Sequence, residues 1–93
     1  MAMSGQKTVT TAGTAVQLGT QKINGPLMVK ALQDNTSNIY VGNDGAGDVT
    51  SANGMELIAG EVIIFSYVGS LEAIWIDSGV NGEGVSWLML GVM

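Results

Sequence analysis

Three short segments in the second half of the chain are apolar on both faces of the strand that each would form. They are residues 62–65, 73–76 and 85–90, which are rich in β-branched and aromatic side chains and closed off by glycines. A strand with one face in water alternates apolar and polar residues. Since a chain of 93 residues has little interior in which to bury such strands, we expect part of this surface to contact another protein.

Glycine divides the chain into segments of strand length. Fourteen glycines and one proline leave segments of about four to eight residues, and none repeats apolar residues at helical spacing. Short strands about ten residues apart are typical of an antiparallel β-sandwich or small barrel. We therefore predict an all-β fold of seven to eight short strands, with a turn at Asn24-Gly25-Pro26 and a long irregular segment at 42–54.

The expected organisation is one β-barrel domain at 13–93, preceded by an N-terminal arm at 1–12. The arm is small and polar, and two interpretations of it stay open. It is a disordered tail, or it becomes ordered by adding a strand to the edge of a partner's sheet.

The charge balance excludes several partners. The chain has three lysines, no arginine and eight carboxylates, for a formal net charge of -5. Nucleic acids and anionic membranes are bound through Lys and Arg, so we expect neither partner. We also expect no transmembrane helix, because the apolar run at 85–93 has only half of the ~20 residues needed, and no secretory signal.

The residue types needed for most catalysis are missing. Without His, Cys or Arg, the chain has no general base near neutral pH, no thiolate nucleophile and no common structural zinc ligand. Paired carboxylates can hydrolyse glycosidic bonds, but no pair is singled out by spacing. We expect no enzyme, no cofactor and no metal. The carboxylates considered are Glu56, Glu61, Glu72, Asp77 and Glu83.

Two candidate ligand-binding motifs at 42–48 do not match the patterns that they partly resemble. Gly42 and Gly47 have the glycine spacing of a phosphate-binding loop, but Asp48 and Val49 follow where Lys and Ser/Thr are needed. Asp44 and Asp48 could bind calcium, yet their spacing does not match the known loop. A turn in which Asp, Asn and Gly satisfy the backbone is the preferred interpretation.

The tryptophans Trp75 and Trp87 have two interpretations. They fill the core of a small sandwich, or they anchor a subunit interface, where aromatic residues and methionine are enriched. Val85, Trp87 and Met89 share one face of their strand, and the other face is apolar as well. We expect the face of Val85, Trp87 and Met89 to form a trimer interface.

Five turn and strand motifs follow one another along the chain. They are TAGTAV at 11–16, NTSNIYVG at 35–42, GMELIAGE at 54–61, LEAIWID at 71–77 and GEGVS at 82–86. In their order and spacing, over residues 8 to 90, they resemble the small structural proteins of tailed bacteriophages, especially the capsid decoration (cement) proteins.

This resemblance implies a small β-barrel or jelly-roll-like unit, commonly trimeric, on the outer surface of the virion head. There such proteins bridge capsomers, so the implied partners are the major capsid protein and further copies of the chain. The chain would be made in the bacterial cytoplasm. We expect capsid contacts in the arm, at Ser4, Gln6, Lys7 and Thr8, and in the loops. Two other functions stay open: a tail or host-recognition module, and a carbohydrate-binding β-sandwich.

Overall fold

The computed structural model describes residues 4–43, 49–50 and 53–90. Within them the regular secondary structure is β-strand, apart from one short 3-10 helix at Leu71–Ala73. No helix in these residues is long and apolar enough to cross a membrane. The strands are β1 (Ser4–Thr8), β2 (Val16–Gln17), β3 (Lys22–Ala31), β4 (Ile39–Gly42), β5 (Met55–Leu57), β6 (Val62–Ser70), β7 (Trp75–Ser78) and β8 (Gly84–Met89).

The strands of the described residues form two four-stranded antiparallel sheets. Sheet I has the order β1-β8-β3-β6, and sheet II has the order β2-β7-β4-β5. Successive strands cross repeatedly from one sheet to the other, which is the connectivity of a jelly roll built from two Greek keys. The predicted all-β, antiparallel, jelly-roll-like sandwich is therefore confirmed.

The core lies between the two sheets and follows the alternation of the strands. In β3, Leu27, Val29 and Ala31 are fully buried, whereas Met28 and Lys30 on the other face are partly exposed. Burying each large aliphatic side chain contributes about 1.5–3 kcal/mol. Sheet II supplies the opposite layer of the core with Ile39, Val41, Leu57 and Ile76.

The expected trimer-interface residues lie inside this core, so that assignment is corrected. Val85 is completely buried, and Trp87 and Met89 are 6% exposed. The Trp87 ring covers Gly5, where an added Cβ would lie 2.9 Å from the ring atom Cζ2. The physical reason is that β8 lies between β1 and β3 in sheet I, so one of its faces has to fill the space between the sheets. Trp75 in β7 is half-buried.

The described part of the expected N-terminal arm belongs to the domain. β1 is the edge strand of sheet I and pairs with β8 from Ser4 opposite Leu88 to Thr8 opposite Gly84. Val9 follows it into the core, and its N–H donates to the carbonyl of Glu83 at 2.8 Å. The domain therefore begins before residue 13, because β1 is paired with β8 as the edge strand of sheet I. Residues 1–3 lie outside the described residues.

The predicted turn at 24–26 is wrong, because these residues lie within β3. The register between β3 and β6 shifts on both sides of Gly25, as in a β-bulge. An irregularity of this kind accommodates Pro26, which has no N–H for regular pairing. Its carbonyl still accepts a hydrogen bond from the N–H of Leu90 at 2.9 Å.

Candidate protein-binding face

The side of sheet I that points away from sheet II carries two rows of side chains across all four strands. The first row is Ser4, Leu88, Met28 and Ile64, and the second row is Gln6, Ser86, Lys30 and Val62. We call these residues the outer face. Neighbours in such a row lie about 4.5–5.5 Å apart at Cβ, so each row is continuous.

Much of the outer face is apolar and accessible. Ile64 is 57% exposed, Val62 is 45% exposed and Leu88 is 41% exposed, and Leu90 follows β8 at 44%. A shallow groove of about 460 Å³ runs along the β1 side of this surface, between Gln6, Met28 and Leu88. Contiguous apolar surface with a polar rim marks a site of protein interaction.

The two sheets differ in charge. All three lysines, Lys7, Lys22 and Lys30, lie in strands of sheet I, and none of its four described strands contains Asp or Glu. Lys30 is the cation of the outer face. Six carboxylates lie in sheet II or in connecting segments, namely Asp34, Glu56, Glu61, Glu72, Asp77 and Glu83. Asp44 and Asp48 lie outside the described residues.

The residues expected to contact a capsid divide between the two sides of β1. Ser4, Gln6 and Thr8 are exposed, and Ser4 and Gln6 begin the two rows of the outer face. Lys7 is half-buried on the opposite side, where it pairs with Val85. The strand thus presents short polar side chains rather than its lysine beside the apolar surface.

A second, apolar groove of about 420 Å³ lies where β6 approaches β4 and β5. Its lining includes Val41, Met55, Phe65, Tyr67 and Ile74. It adjoins Asn43, after which residues 44–48 fall outside the described part of the chain. These residues include Gly47 of the candidate phosphate-binding motif and Asp44 and Asp48 of the candidate calcium-binding motif.

The five candidate catalytic carboxylates each accept a hydrogen bond. The most buried is Asp77, which is 2% exposed and accepts from the N–H groups of Gly13 at 3.0 Å and Ser78 at 2.8 Å. Glu56 accepts from Asn38 Nδ2 at 2.6 Å. Glu61 accepts from the N–H of Ile58 at 2.8 Å, and the Glu72 carboxylate accepts from the Ser70 hydroxyl at 3.4 Å. Across the described ranges, no group of three or more His, Cys, Asp or Glu side chains could hold a metal ion.

The Glu83 carboxylate connects two loops at one end of the sandwich. It accepts from the N–H and hydroxyl of Thr36 at 2.6 and 2.8 Å, and from the N–H and hydroxyl of Ser37 at 3.1 and 3.0 Å. These bonds favour the charged form and hold the pKa of Glu83 below its ordinary value of 4.5, with the Thr36 N–H contributing most and desolvation opposing the shift.

We expect Glu83→Gln to lower stability at pH 7 and to lose its effect in acid. Glutamine replaces one acceptor oxygen by an NH₂ group that faces donors. Because the folded-state pKa is lowered, the stabilisation by Glu83 is present above pH 4.5 and is lost as the pH falls through the folded-state pKa. Urea unfolding midpoints of wild type and variant, measured from pH 7 to pH 3, should converge in acid. Glu72→Gln is the control, and a pH-independent difference for Glu83→Gln would contradict the assignment.

The sequence interpretation missed the outer face because it chose the wrong side of β8. One signal for this face was present. Every lysine falls in a segment that becomes sheet I, and residues 62–70 and 84–90 contain no charged side chain at all. Comparisons with family models, with curated proteins and with solved structures give no match to this chain.

Proposed function

We propose that this chain is a capsid decoration protein of a tailed bacteriophage, which binds the outer surface of the icosahedral head as a homotrimer and bridges capsomers. The observation that carries the proposal is the outer face. The core of the domain is filled, yet Ile64, Val62 and Leu88 stay exposed on this face. The face also contains one lysine and no carboxylate. Such a surface suits assembly with protein rather than chemistry on a small molecule.

The fold is compatible with this role. Jelly rolls occur in viral capsid proteins and in lectins, although a fold alone does not determine function. A decoration protein acts by mass action: it stabilises the assembled shell because it binds that state and not the free subunits. Three linked copies strengthen a weak single contact through avidity.

We place the contact with the major capsid protein at β1. This strand is an edge of sheet I, and Ser4, Gln6 and Thr8 are exposed along it. An edge strand has unpaired backbone groups that can pair with a strand of another protein. The contact would therefore combine backbone hydrogen bonds with short polar side chains.

The direct test is binding of the purified chain to heads assembled from the major capsid protein of the same genome. We expect saturable co-sedimentation and a higher temperature of head disruption. Thr8→Arg, at the exposed end of β1 outside both rows of the outer face, should weaken binding by about tenfold, which corresponds to ~1.4 kcal/mol. Gln33→Arg, at an exposed residue in the turn after β3, should not. Absence of binding to heads would contradict the proposal.

The second candidate is a tail or carbohydrate-recognition module. It is favoured by the aromatic side chains of Phe65 and Tyr67 in the apolar groove, since jelly rolls also serve as lectins. Electron microscopy of virions separates the two functions by the location of the chain. Density on tails, or glycan binding by the free chain, would favour the second candidate.

A further inference from the structure

We infer that the outer face of sheet I is the surface through which copies of this chain contact one another. The central residues of the contact are Met28, Lys30, Ile64 and Leu88. The inference rests on the proposed function for the number of copies, three. The contact itself rests on the charge and exposure of the described residues.

Charge is the first reason for choosing a second copy as the occupant. Each chain carries a formal net charge of -5, so two copies repel each other wherever their carboxylates meet. At physiological ionic strength this repulsion extends over about 8 Å. The strands that form the outer face contain no carboxylate, so two copies can approach there without placing carboxylates opposite each other.

The position of Lys30 adds to this argument. Its row neighbours are Ser86 and Val62, which are uncharged. A second copy that covers Lys30 therefore brings a net-negative chain against an isolated cation. The contact removes apolar surface from water and is also favoured by long-range attraction.

Exposure is the second reason. An apolar surface that stayed open in the free protein until a head was available would promote nonspecific aggregation. Association with further copies covers Val62, Ile64 and Leu88 as soon as the chain has folded. The backbone edge of β1 and the exposed Thr8 then remain available for a different protein, because Ser4 and Gln6 are the residues of β1 that belong to the outer face.

The experiment measures the mass of the purified chain in solution by sedimentation at micromolar concentration. Wild type should sediment as a trimer, and Leu88→Ser should move it to monomer. Val80→Ser is the matched control, because Val80 is 40% exposed and Leu88 is 41% exposed, but Val80 lies in the connection between β7 and β8. We expect Val80→Ser to remain trimeric.

A charge variant tests the same face without removing apolar surface. Lys30→Glu should weaken association by at least tenfold, because it places a carboxylate at the centre of the contact. Lys22→Glu, at the exposed first residue of β3, should have little effect. Circular dichroism confirms that each variant is folded, so a shift to monomer is not mistaken for unfolding.

Other outcomes overturn the inference. A wild-type monomer, or equal masses for Leu88→Ser and Val80→Ser, would show that copies do not meet through the outer face. Head binding by that same protein would still support decoration of the head, although a wild-type monomer would contradict its trimeric form. Conversely, a trimer that is sensitive to Leu88 and Lys30 but does not bind heads would support the contact and contradict the decoration function.

Discussion

Trp87→Ala should lower the free energy of unfolding by about 3–5 kcal/mol, the range for truncating a buried aromatic side chain. The Trp87 side chain is 6% exposed, and its ring covers Gly5 of β1. Its neighbours in sheet I are Gly5 and Val29. Removing the ring leaves a cavity between the sheets that Gly5 cannot fill, and the loss also weakens the attachment of β1.

Trp75→Ala is the matched control for this prediction. Trp75 is half-buried in β7 of sheet II, so truncation removes less contact area from the core, and we expect a loss of about 1–2 kcal/mol. Urea unfolding followed by far-ultraviolet circular dichroism gives both values without depending on tryptophan fluorescence. A loss at Trp75 equal to or larger than the loss at Trp87 would contradict the position of Trp87 at the core.

Gly84→Ala should destabilise the protein by about 3 kcal/mol, at the upper end of the range for overpacking. A Cβ at residue 84 would collide with the carbonyl oxygen of Lys7 and would lie 2.7 Å from the Cα of Thr8. Both are backbone atoms of the adjoining strand, so no side-chain rotation relieves the contact. The clash should separate β1 from β8 at the end where Thr8 pairs with Gly84.

Gly69→Ala separates this close approach from the general effect of replacing glycine in a strand. Gly69 lies in β6 of the same sheet, and a Cβ there would meet only the side chain of Tyr67, at 3.6 Å. We expect its stability to change by less than about 1 kcal/mol. Hydrogen exchange should show reduced protection in β1 for Gly84→Ala and not for Gly69→Ala. Equal stability and equal protection in the two variants would contradict the close packing of β1 on β8.

The fold class could be predicted from local sequence patterns. Period-two alternation in β3 places Leu27, Val29 and Ala31 on one face, and they are the residues that the structure buries. The glycine of the motif at 54–61 marks a local turn in the same way: Gly60 adopts a φ of +84°, which favours glycine, and the N–H of Glu61 donates to the carbonyl of Ile58 at 2.9 Å. Both features depend only on neighbouring residues.

The candidate protein-binding face was harder to predict from the sequence, because β8 is apolar on both faces. Val85, Trp87 and Met89 on one face, and Leu88 and Leu90 on the other, provide comparable hydrophobic surface. Nothing within such a strand says which side turns inward. The choice depends on β1 and β3, which flank β8 in sheet I.

The sequence by itself therefore determined the all-β class, the acidic charge, and the absence of the His, Cys and Arg side chains on which most catalysis depends. Only the tertiary structure decided which faces became the core, and that β1 pairs with β8 across nearly the whole length of the chain. It also decided that Glu83 binds Thr36 and Ser37. The physical reason is that alternation and turn propensity act between neighbouring residues, whereas strand order and the direction of a two-faced strand depend on contacts between residues far apart in the chain.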